Sequence, residues 1–139
     1  MTNALNVATL TWSADTTETF ETSESFALPG WAETDVAGAR WHMQARDVAS
    51  DRAFVLDFDT VGSPPTIVVN SVATGAGVDA NGNAILGVTA TLTFTQSADA
   101  VAQIAAGSYV CALKIICADG TKSIVANGTI TLTQGPTRE

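Results

Sequence analysis

The stretch that decides the fold lies near the C-terminal end: Tyr109-Val110-Cys111-Ala112-Leu113-Lys114-Ile115-Ile116-Cys117-Ala118-Asp119-Gly120. Successive side chains of a strand point to opposite faces, so Tyr109, Cys111, Leu113, Ile115 and Cys117 share one apolar face. Asp119-Gly120 follows, a pair suited to the positive φ angles of a type I′ hairpin turn. Residues 123–133 then alternate again, with Ile124, Ala126, Gly128, Ile130 and Leu132 on one face. Two alternating runs joined by Asp-Gly define a β-hairpin. Gly128 in mid-strand predicts a bulge or the close approach of a neighbour.

Upstream, the same period recurs. Residues 66–73 are apolar and β-branched. Residues 84–95 set Leu86, Val88, Ala90, Leu92 and Phe94 against Thr89, Thr91, Thr93 and Thr95. The Gly- and Asn-rich connection over 74–83 predicts a second hairpin with an exposed tip. Between the hairpins, Ser97 is a good N-cap, Asp99 suits a first helical turn and Gly107 is a stop, predicting one short helical turn. Residues 40–46 alternate Trp41, Met43 and Ala45 against His42, Gln44 and Arg46. Residues 54–59 alternate Phe54, Leu56 and Phe58 against Val55, Asp57 and Asp59. Pro64-Pro65 interrupts the chain before the next strand. Residues 5–12 and 17–28 hold two further strands, with turns at Ala14-Asp15 and Pro29-Gly30. The sum is an all-β chain of about seven or eight short strands, patterned as a single immunoglobulin-like antiparallel β-sandwich over residues 1–139.

Composition agrees with one folded unit. The hydrophobic share of 46 % against 14 % charged residues is the reverse of a disordered chain. Six Lys and Arg against 14 Asp and Glu give a net charge of −8, which repels phosphate backbones and argues against nucleic acid and anionic membrane as partners. No apolar run approaches the ~20 residues that span a bilayer. The opening Met1-Thr2-Asn3-Ala4-Leu5 lacks the basic head and apolar stretch of a signal peptide, so synthesis and folding in the cytosol are expected. Cys111 and Cys117, six apart on one strand, would be separated by roughly 20 Å at ~3.3 Å per residue. A disulfide needs Cα atoms within about 7 Å. Both are expected to be reduced, buried and inert.

Few residues offer chemistry. His42 is the single histidine, and any Ser-His-Asp or Cys-His device must use it. It faces away from Trp41 and Met43, on the polar side of its strand. Asp57 and Asp59 share a strand face and could work as paired carboxylates. The simpler expectation is a solvated surface paired with Arg46 or Arg52 across the ladder. Asp79-Ala80-Asn81-Gly82-Asn83 starts like a calcium loop, but Ala84 and Ala90 occupy the positions where an EF-hand needs Gly and Glu. Asn81-Gly82 reads better as a turn, with a loose surface calcium site at Asp79 as the alternative. Trp12, Trp31 and Trp41 could stack on sugars if exposed. Trp41 alternates into the core, against Phe58, Leu92 or Leu113, whereas Trp31 follows Pro29-Gly30 and is a candidate for exposure. No cofactor or metal is expected, and no enzyme activity.

Two segments together resemble a known family. The first is Asp35-Val36-Ala37-Gly38-Ala39-Arg40-Trp41-His42-Met43-Gln44-Ala45-Arg46. The second runs from Gly107-Ser108-Tyr109 through Leu113, Asp119-Gly120 and Gly128-Thr129-Ile130-Thr131-Leu132 to Pro136-Thr137-Arg138. Both resemble the Ig-like domain of tailed-bacteriophage virion proteins, found at the N-terminus of baseplate upper proteins. Ala112 departs from the pattern, standing where that family has Asp. The resemblance implies a virion structural protein of the tail, baseplate, neck or capsid surface. It further implies assembly in the host bacterial cytoplasm, with other virion proteins as partners and a homo-oligomeric state. A small carbohydrate- or receptor-binding β-sandwich module is the alternative. Lys is absent from residues 7–12 and 20–28, where a free edge strand would carry it. Val7, Thr9, Thr11 and Trp31 are therefore the candidate partner contacts.

Overall fold

The computed structural model describes residues 8–15, 18–47, 55–74, 81–83 and 87–133. In chain order they form β1 (Ala8–Asp15), β2 (Phe20–Pro29), α1 (Glu33–Val36), β3 (Arg40–Arg46), β4 (Leu56–Asp59), β5 (Ile67–Thr74), β6 (Gly87–Gln96), α2 (Ala98–Ala102), β7 (Gly107–Ile116) and β8 (Lys122–Thr133). Two sheets result, one ordered β1-β8-β7-β3-β4 and the other β2-β6-β5. Strands two, six and five facing strands eight, seven and three is the immunoglobulin-like sandwich arrangement, with β4 and β1 added at the flanks of the larger sheet. All ladders are antiparallel except β1–β8, which is parallel over Ala8–Asp15.

Alternation builds the core between the sheets. Trp41, Met43 and Ala45 of β3, Val88, Ala90, Leu92 and Phe94 of β6, and Tyr109, Cys111, Leu113 and Ile115 of β7 are all buried. Aromatic rings join the layers. Trp12, Phe20, Phe58 and Phe94 form a mutual cluster, with Trp12 and Phe94 centroids 4.8 Å apart. Phe26 bridges this cluster to Trp41, edge-on to Phe94 and stacked on Trp41 at 6.3 Å. The ring that stacks on Trp41 is thus Phe26 of the facing sheet, while Phe58 belongs to the cluster around Trp12. At the start of β7, the Tyr109 hydroxyl donates to the Ala105 carbonyl at 2.6 Å, two residues before Cys111. That is the tyrosine corner of immunoglobulin-like domains, which pins the entry of the strand.

The predicted hairpins are present, with two differences of detail. The β7–β8 turn has one left-handed residue, Gly120 at φ +92°, and no non-glycine residue among those described has positive φ. Gly120 N–H donates to the Cys117 carbonyl at 2.9 Å and Cys117 N–H to the Thr121 carbonyl at 2.8 Å. The connection is therefore a three-residue loop, a type I turn followed by a glycine bulge, rather than type I′. The β7–β8 register also shifts between Leu113 and Lys114. The extra residue reverses the face, so Val125 is buried and Ile124 is exposed, against expectation. Gly128 lies outside this bulge and serves the other predicted purpose: a Cβ there would fall 2.0 Å from the Leu10 carbonyl oxygen of β1.

The helical turn α2 starts where expected, the Ser97 Oγ accepting from Ala100 N–H at 3.2 Å. It ends at Gln103, and Gly107 opens β7 instead of stopping the helix. A second helical turn, α1, was not foreseen in the alternation; the Asp35 carboxylate accepts from Ala32 N–H at 2.8 Å at its start.

Candidate functional site

The outer face of the five-stranded sheet gathers the ionisable groups. Strand β3 sends Arg40, His42, Gln44 and Arg46 outward, because Trp41, Met43 and Ala45 are drawn into the core. Strand β4 pairs with it in the register His42↔Asp59 and Gln44↔Asp57. Each carboxylate then takes the same diagonal neighbour. Asp59 forks the Arg40 guanidinium, with Nε–Oδ1 at 2.9 Å and a second bond from Nη2 to Oδ2. Asp57 Oδ1 meets His42 Nε2 at 2.6 Å. Neither carboxylate pairs with Arg46, whose Nη2 donates to Gln44, and Arg52 lies outside the described residues. Asp59 is also buried rather than solvated, and its Oδ1 accepts a further bond from Val61 N–H at 2.9 Å. The Arg40 hydrogen bond, reinforced by that backbone bond, holds the Asp59 carboxyl below its usual range against the opposing effect of burial.

His42, Asp57 and Asp59 bring donor atoms within 4.8 Å of one another, the spacing of a metal site. The donor set does not fit one. Both Asp59 oxygens are held by Arg40, and Lys114 stands directly across from His42 in the β3–β7 register, so a cation would meet two fixed positive charges. The neighbouring hydroxyls hold backbone: Thr60 Oγ1 accepts from Trp41 N–H and Thr66 Oγ1 from Asp59 N–H. Both cysteines are buried and outside any disulfide, and burial pushes the Cys111 thiol up to about 11. What the cluster does physically is staple β4 to β3.

Beside the staple, His42, Gln44, Arg46, Val110, Ala112 and Lys114 line a shallow hollow of about 470 Å³ on the sheet face. Arg46 Nε is buried there without a hydrogen-bond partner. At the opposite flank, the corner between β1 and β2 carries Asp15, Glu18 and Glu21, with Glu24 further along β2 accepting from Trp12 Nε1 at 3.3 Å.

Among the described residues, the candidate contacts Thr9, Thr11 and Trp31 do not come together as one patch. Thr9 and Thr11 are exposed on the outer side of β1, and Val7 lies outside the described residues. Trp31 is only 3 % exposed, so its ring is a core residue and not a contact. The reason is local. Trp31 N–H donates to the Leu28 carbonyl, and Gly30 has φ +82°, so Leu28-Pro29-Gly30-Trp31 is a type II turn that folds the indole back onto the sandwich. Trp12 at 6 % and Trp41 at 0 % are buried too, so the three tryptophans form no sugar-stacking face. Asp79 of the calcium alternative lies outside the described residues; Gly82 beside it has φ +83°, as a turn glycine does.

Reasoning from single strands did not reveal the edges. β1, β4, β2 and β5 flank the two sheets, and none of the four carries Lys. β5 has no ionisable side chain at all, and leaves Val68 45 % and Val69 36 % exposed. Fold and surface together define an immunoglobulin-like β-sandwich with one uncharged edge, β5, and a charged sheet face. No protein-family model matches the chain, and no curated protein registers as a relative.

Proposed function

We propose that this chain is a structural component of a tailed-bacteriophage virion, at the tail, baseplate, neck or capsid surface. It acts through protein–protein contacts with other virion proteins and with copies of itself. The observation that carries this reading is the uncharged β5 edge, with Val68 and Val69 exposed. A free monomer blunts its edge strands with Lys, Pro, charge or bulges, because unpaired N–H and C=O groups template pairing with another chain; β1, β2 and β4 each carry Asp or Glu, whereas β5 has only a register shift between Val69 and Ser71 and no charge. Here β5 presents eight uncharged residues, and β1 adds the exposed hydroxyls Thr9 and Thr11. An edge left open in this way is suited to being covered in an assembly, by strand addition or face packing.

The virion setting rests on the resemblance. Its two segments contain β3 and the β7–β8 hairpin, and β3 pairs directly with β7, so these described strands of the two segments are neighbours in one sheet. The carbohydrate-binding alternative loses its carrier, since the three tryptophans are buried. The test is to guard the edge. In a phage lacking its own copy of the gene, Val69→Lys should lower the yield of infectious particles at least tenfold. Circular dichroism should show the variant folded, since an exposed substitution changes stability by only about 0.5 kcal/mol. An undiminished yield would contradict the reading.

A further inference from the structure

We propose that copies of this chain join head to tail, the acidic β1–β2 corner of one copy seating on the basic hollow of the next. The inference rests on the structural reading above and deepens it. With a net charge of −8, two copies repel one another unless the contact brings unlike charges together. The chain has six Lys and Arg, and three of them, Arg40, Arg46 and Lys114, stand with His42 on the outer face of β3 and β7. Arg40 is engaged by Asp59 and His42 by Asp57. Arg46 and Lys114 have no carboxylate partner among the described residues. Half the basic residues of an acidic protein are thus gathered on one face.

The hollow between them is built for an acidic side chain. Arg46, Lys114 and His42 line it together with Val110 and Ala112. Arg46 Nε is a buried donor with no acceptor, a state that costs free energy until an acceptor arrives. A carboxylate placed there would gain a charge-assisted hydrogen bond. The matching surface on the same chain is the β1–β2 corner, where Asp15, Glu18, Glu21 and Glu24 lie within one turn and the start of a strand. Glu18 and Glu21 are exposed. The two surfaces are different patches of the molecule, so the contact is heterologous and propagates into a closed ring or an open filament. Thr11 and Ser13 of β1 border the corner, which brings the β1 candidate contact Thr11 into the same interface.

Sedimentation velocity on the full chain tests this, at low salt and at about 0.5 M salt, where the Debye length falls below about 5 Å. The wild type should associate at low salt and weaken as salt rises. Arg46→Glu with Lys114→Glu, and separately Glu18→Lys with Glu21→Lys, should each lower association at least tenfold. An equimolar mixture of the two reversed variants should recover it, because each supplies the charge the other lacks. Lys114→Glu alone, at an exposed site, guards against loss of folding in the Arg46 variant and should retain a several-fold effect. Unchanged association in the reversed variants, or no recovery on mixing, would overturn the contact and direct attention to β5. A wild type that is monomeric yet incorporated into particles would overturn this contact while leaving the structural reading intact. A monomer absent from particles would remove both.

Discussion

Replacing Gly128 with Ala probes a place where two strand backbones come too close for any side chain. Gly128 of β8 lies opposite Leu10 of β1 in the parallel ladder. A Cβ there would sit 2.0 Å from the Leu10 carbonyl oxygen and 2.7 Å from its carbonyl carbon and Cβ. Ordinary contact between such atoms needs about 3.5 Å, so β1 would have to retreat by more than about 1 Å. The obstacle is backbone, and no rotamer change relieves it. Overpacking a tight site costs about 1–3 kcal/mol. Retreat of β1 would further loosen Leu10 and Trp12, each worth about 1.5–3 kcal/mol when fully buried. We expect Gly128→Ala to lose about 3 kcal/mol in a urea titration, with the Trp12 emission shifting to the red in the folded state. Asn127→Ala, one residue away and exposed, should change stability by no more than about 0.5 kcal/mol. A loss below about 1 kcal/mol for Gly128→Ala, with unchanged fluorescence, would refute the close approach of β1 to β8.

The Arg40–Asp59 staple predicts a pH dependence. The Asp59 pKa is lower folded than unfolded, so its stabilisation is fully present above the ordinary carboxylate value of 3.8 and is lost as pH falls through the folded value. Asp59→Asn should cost about 2 kcal/mol at pH 7 and flatten the stability curve below pH 4; equal slopes in wild type and variant would contradict the assignment. The thiols make a second prediction. With Cys111 raised to about 11 and Cys117 raised by burial and by Asp119, both should react slowly with a thiol reagent at pH 8 in the native protein and rapidly in denaturant. A Cys111–Cys117 disulfide in the native protein would overturn the strand assignment of β7.

The hairpins were legible because alternation and turn chemistry are local signals. Tyr109 to Cys117 and Val88 to Phe94 fold as their period says, and Asp119-Gly120 marks the reversal. What failed were features set by other parts of the chain. The bulge opposite Leu113 moves Ile124 outward and Val125 inward, and nothing in residues 122–126 alone announces it. The parallel pairing of β1 with β8 joins strands more than a hundred residues apart, which no local pattern encodes. Trp31 could have been placed: Pro-Gly at the centre of a type II turn reverses the chain, and the residue after it returns to the core. The ion pairs were misassigned because the preference among diagonal neighbours depends on strand twist, which chose Arg40 and His42 over Arg46. The charged hollow and the corner that complements it became visible only once β3, β7 and the β1–β2 turn had positions in space.

The account stands most directly on whether this chain is a fixed part of a particle. Phage particles carrying its gene, purified through a density gradient and stripped of loosely bound protein by high salt, can be digested and quantified by mass spectrometry against isotope-labelled peptides from residues 53–114. The structural reading predicts a constant ratio to the other tail or capsid proteins across preparations, as a fixed place in a symmetric assembly requires. Its absence from washed particles, or a variable trace amount, would contradict that reading.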